Sequence, residues 1–70
     1  MPLKKKISKL LMSERHKQGL TQTQLAEKAN LKQSQIARIE KGENAISFAT
    51  LERVARALGR KVKIELSKAV

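Results

Sequence analysis

Residues 33 to 41, QSQIARIEK, combine an apolar stripe with side chains suited to reading another molecule. If Ile36, Ala37 and Ile39 form the inward stripe of a helix, then Gln33, Ser34, Gln35 and Arg38 are left for its leading end and outward face. An amide such as Gln can pair with adenine through N6 and N7, a guanidinium with guanine through O6 and N7, and a hydroxyl with several base edges. Catalysis has less to work with. The sequence holds no paired carboxylates, no phosphate-cradling glycine loop, no nucleophile beside a base, no cysteine and a single histidine, His16. No enzyme is expected, and no metal or cofactor.

The elements that would carry those side chains can be read from local signals. Residues 4–18 hold Ile7, Leu10 and Leu11 with the stems of Glu14 and Arg15 one turn on, which predicts a first helix with Gly19 as its left-handed stop. Thr21 and Gln24 have the spacing of a capping box, and Leu20 and Leu25 that of a hydrophobic staple, so a second helix is expected over 22–29. Asn30, the non-glycine residue most tolerant of positive φ, ends it. The staple spacing recurs with Leu31, Lys32 and Ile36, and again with Ile46, Ser47 and Leu51. These predict helices over 33–41 and 48–58, closing at Gly42 and Gly59, with Leu25, Ile36, Ile39, Leu51, Val54 and Leu58 in the core.

After Gly59 the period changes. In RKVKIEL, charged residues alternate with Val62, Ile64 and Leu66, which predicts a half-buried strand over 60–67. A lone strand needs a ladder, and the simplest partner is the same strand of a second copy, paired antiparallel across a two-fold axis with Val62, Ile64 and Leu66 packed on helices.

Composition narrows the partner. Seventy residues with sixteen Lys and Arg against six acidic residues carry a formal charge of +10. A chain of this size forms one domain, 1–70, and buries only about 60% of its unfolded surface, so help from a second copy is expected. The charge asks for a polyanion. A membrane surface fits poorly, because the apolar face of the first helix is narrow and carries no Trp or Phe. Single-stranded nucleic acid is generally held by aromatic stacking, and Phe48 is the one aromatic residue. Duplex DNA remains. The absence of cysteine, of a bilayer-length apolar run and of a cleavable leader at the amino terminus leads to the expectation of a soluble cytoplasmic protein with no membrane partner.

Two short helices joined by a tight turn make a helix-turn-helix, whose second helix enters the major groove with its leading residues on base edges. The segments LTQTQLAEKANLKQSQIARIEKG and TLERVARALG resemble the Cro/phage-repressor class of helix-turn-helix proteins, the xenobiotic-response-element family, over about residues 7 to 59. The resemblance implies an all-α, compact four-helix, lambda-repressor-like domain, here with a carboxy-terminal β-strand. It implies base contacts at Gln33, Ser34 and Arg38, a phosphate contact and brace at Gln22, backbone proximity from Lys41 to Asn44, and a pairing of Arg15 with Glu40. Gln35 joins the base-facing set from its position in the leading turn. Thr23 and Lys32 add phosphate donors at the starts of helices two and three.

The sequence departs from the family in placing Asn30 at a turn often held by glycine, and in starting the reading helix after Lys32, a poor cap that offers a charge to phosphate. The RKVKIEL segment stands where phage repressors have a fifth helix and resembles the terminal strand of Hip-type antitoxins. The expected function is a homodimeric transcriptional repressor on a pseudo-palindromic double-stranded operator, the antitoxin of a type II toxin–antitoxin operon with a toxin protein as second partner. The alternative is a phage or restriction–modification controller whose partner is DNA alone.

Overall fold

In the computed structural model, which describes residues 3–43, 46–63 and 66, each helix begins or ends at a local signal. α1 runs Leu3–Lys17. α2, Gln22–Ala29, starts with a complete capping box: Thr21 Oγ1 accepts from the Gln24 amide at 3.0 Å, and Gln24 Oε1 accepts from the Thr21 amide at 2.8 Å. It stops at Asn30, whose φ of 57° and ψ of 46° are left-handed. The chain is held in that turn by the Leu31 amide donating to the Ala26 carbonyl at 2.8 Å.

α3, Gln33–Lys41, starts differently. Gln35 Oε1 accepts from the Lys32 amide at 2.8 Å, but a lysine has no acceptor to return to the first turn, so only half a box forms. Gly42 closes α3 at φ 69°, a left-handed conformation that favours glycine, and a Cβ there would sit tightly, 3.3 Å from Lys5 Cγ and 3.4 Å from Ser8 Oγ. α4, Phe48–Ala57, is capped by Ser47, whose Oγ accepts from the Thr50 amide at 3.1 Å. It ends one residue short of the expected 58, with Leu58 as its cap.

α2 is the hub. α3 packs on it and on α1, while α4 has α2 as its principal partner. Leu11, Leu25, Ala26, Ala29, Ile36, Val54 and Leu58 form the buried cluster, with Ile39 and Leu51 half-buried against it.

Two expectations need correction. Leu10 does not face the core but is 63% exposed. The buried face of α1 is Ser8, Leu11 and Arg15, spaced three and four apart, and a residue adjacent to Leu11 is turned about 100° off it. The strand over 60–67 is absent among the described residues: 60–63 has no regular structure, Val62 is half-buried, and Leu66 is 97% exposed rather than packed on a helix. A single segment without a neighbour has no ladder to define it, and what holds its start is a side-chain tie instead. Arg60 Nε donates to Glu14 Oε1 at 2.6 Å, and this bond lowers the Glu14 pKa. Ile64 lies outside the described residues.

Candidate nucleic-acid interface

The orientation of α3 depends on a buried charge. Arg15 donates twice to Glu40, from Nε to Oε2 at 2.7 Å and from Nη2 to Oε1 at 2.9 Å, and a third time from Nη1 to the Leu20 carbonyl at 2.8 Å. Only 10% of the Arg15 side chain and 4% of that of Glu40 reach solvent. Burial alone pushes the Glu40 carboxyl up, but hydrogen bonds from Arg15 and Gln22, with the charge of Arg15, outweigh it and hold the group below its ordinary value. The bond to Glu40 likewise raises the Arg15 pKa. The carboxylate sits in the last turn of α3, where the helix dipole opposes it, so without the guanidinium this arrangement would be unfavourable.

From Glu40 the network runs outward to the leading end of α3. Gln22 Nε2 donates to Glu40 Oε1 at 3.0 Å, and Gln33 Nε2 donates to Gln22 Oε1 at 2.6 Å. α1, α3 and α2 are thereby linked in one chain of polar contacts that ends on the first residue of α3. Gln33 keeps its carbonyl oxygen and one N–H, the acceptor and donor that an adenine edge requires.

The remaining expected residues divide by geometry. Ser34, Arg38, Thr23, Lys32 and Lys41 are exposed. Gln35 is exposed too, with its oxygen accepting from the Lys32 amide and both of its N–H donors without a partner among the described residues. Asn44 lies outside the described residues. None of α2, α3 and α4 carries an acidic residue in its first turn, so their positive ends are not neutralised from within.

One residue of the site was missed from sequence. Ser8 is 4% exposed and its hydroxyl donates to the Ile39 carbonyl, joining α1 to the end of α3. The signal was available, since Ser8, Leu11 and Arg15 share one helical face. Among the described residues no buried polar side-chain atom lacks a partner, no cluster could hold a metal ion, and no helix is long and apolar enough to cross a membrane.

A buried-braced, outward-facing second helix after a tight turn defines the helix-turn-helix class, and comparison with known proteins agrees. The helix-turn-helix family profile matches residues 11–64, so the chain belongs to that family, in its Cro/phage-repressor class of DNA-binding regulators. It is 54% identical over 48 residues to an immunity repressor protein of Bacillus phage phi105, a match covering 69% of this chain and 33% of that protein. The chain thus spans about a third of the repressor's length. It is 41% identical over 51 residues to an uncharacterized HTH-type transcriptional regulator of Methanothermobacter thermautotrophicus, covering 73% of this chain and 74% of the relative. The crystal structure of a single-site variant of the restriction–modification controller protein C.Esp1396I superposes with a TM-score of 0.83 at 30% identity, over 87% of this chain and 79% of the other.

Proposed function

We propose that this protein is a sequence-specific repressor of transcription that binds a pseudo-palindromic duplex operator as a homodimer, with one α3 in each of two major grooves about 34 Å apart. The observation that carries the reading is the polar chain from Arg15 through Glu40 and Gln22 to Gln33, which fixes the leading end of α3 while leaving its base-pairing atoms free. Gln33 reads adenine, Arg38 reads guanine, Ser34 adds a hydroxyl contact, and Gln35 contributes its N–H donors. Gln22, Thr23, Lys32, Lys41 and Asn44 meet phosphate and set register, and the charge of +10 supplies most of the affinity through counterion release.

Two readings of the biological role share this chemistry. The names of the phage immunity repressor and the restriction–modification controller support the reading as a controller, for which DNA would be the one partner. The antitoxin role, with a toxin as second partner, has the alternating RKVKIEL segment as its support, and a toxin gene beside this one would favour it.

Selection of bound fragments from random duplex DNA, at stated salt, tests the reading. Two half-sites one helical turn apart are expected, and a single unrepeated site would remove the dimer. Arg38→Ala should then cost about 1 to 3 kcal/mol and relax one base per half-site. An equal loss on every sequence would reduce Arg38 to a phosphate contact.

A further inference from the structure

A basic groove lies on the α4 side of α2, away from the polar chain that braces α3. Lys28, Ala29 and Asn30 at the end of α2 and Arg53, Arg56 and Ala57 of α4 border a groove of about 510 Å³. It continues through Glu52 and Arg56 into a second, of about 470 Å³, bordered by Arg60 and Lys61. Five cations face one carboxylate along its length. Of the five, Arg60 is paired with Glu14, and among the described residues no ion pair joins the other four to a carboxylate. Holding so many like charges on one face is unfavourable in the absence of a counter-charge.

We propose that this groove docks an extended acidic segment of a partner protein. Its floor is small and apolar, with Ala29 buried and Ala57 half-buried beneath the cations. Arg53 and Arg56 lie three apart on α4, which sets their side-chain bases about 5 to 6 Å apart. In an extended peptide, residues two apart share a face at about 6.6 Å, so carboxylates at alternate positions match the two guanidiniums while the residues between them turn to the opposite face. A duplex fits less well. Glu52 interrupts the cations and would repel a continuous phosphate backbone, whereas a peptide can set a small uncharged residue beside it. A second copy fits no better, since two such faces would oppose cation to cation.

The test titrates the full chain into a fluorescent peptide of alternating Glu and Ala, with and without a bound duplex. Saturable binding that persists with duplex present is expected. The exposed pair R53E with R56E should weaken it about tenfold. R53Q with R56Q should give a smaller loss in the same direction. K6E with K9E, which changes net charge equally on exposed α1 positions outside the groove, should leave it nearly unchanged. Equal loss in the α1 control would reduce the binding to net charge and overturn the proposal. Displacement of the peptide by duplex would assign the groove to the DNA footprint, and a fall in sedimenting mass on R53E with R56E would assign it to a contact between copies. Either result, or no binding, ends it.

Discussion

The two seams that flank α2 and α3 differ in what is added to their apolar contacts. α4 meets α2 through the apolar cluster that includes Leu25, Ala29, Val54 and Leu58, whereas α1 meets α3 through Leu11 and Ile36 of the same cluster together with a bidentate ion pair and the Ser8 hydroxyl. Apolar contact is non-directional and scales with area, so the first seam holds the helices together without fixing their rotation. Hydrogen bonds fix direction, and the polar seam is the one that continues through Gln22 to the leading end of α3. Stability and orientation are therefore assigned to different seams, and that division can be broken experimentally.

The largest effect is expected at the polar seam. Arg15→Ala leaves a buried Glu40 carboxylate with Gln22 as its remaining side-chain donor, and should cost about 4 kcal/mol in urea unfolding. The paired replacement R15M with E40L sharpens the point, because exchanging a buried ion pair for apolar side chains is often neutral or stabilising. That variant should keep wild-type stability yet lose base preference, since nothing then anchors Gln22 and Gln33. Stability and selectivity falling together would merge the two roles.

At the apolar seam, Leu25→Ala should cost about 3 kcal/mol through lost burial and the cavity left behind, at a position 1% exposed. Below its melting point the variant should retain the wild-type preference among duplexes. A changed preference would show that rotation of α3 is set by packing as well.

These seams also explain how much could be read from sequence. The caps were legible because each is local: Thr21 with Gln24 and Ser47 with Thr50 lie three apart, and the bend at Asn30 needs one residue type. The stretch 33–41 was legible as a helix with an outward polar face because its period left four polar residues outside the apolar stripe. What escaped was long-range. Ser8 with Ile39, Gln18 Nε2 with the Leu58 carbonyl at 2.7 Å, and Gln33 with Gln22 join residues 11 to 40 apart, and no local pattern encodes them. Adjacent leucines misled at Leu10, where only one of two neighbours can face inward. RKVKIEL misled because alternation reports a face available for burial, and among the described residues of that face Val62 is only half-buried and Leu66 is exposed.

Gly42 tests the polar seam at its end. G42A forces a side chain into positive φ and within 3.3 Å of Lys5 Cγ, so it should cost more than about 1 kcal/mol. Because Lys5 and Ser8 belong to α1, the same change should weaken base selectivity more than Leu25→Ala does. Selectivity untouched by G42A would confine the orienting contacts to Arg15 and Glu40.

Acid should produce the smallest change, because protonating Glu40 removes charge but neither volume nor every hydrogen bond. Its folded-state pKa is depressed, so the stability it contributes is complete above the unfolded carboxyl value of about 4.3 and is lost as pH falls from there through the folded value. Glu14, lowered by Arg60, titrates with the same sign. The urea midpoint of the wild type should thus fall on acidification below about pH 4. R15M with E40L should fall less steeply, retaining the part that belongs to Glu14. Identical slopes in the two proteins would mean that Glu40 is ionised in the folded state without gaining from it, and the polar seam would then orient α3 through hydrogen-bond geometry alone.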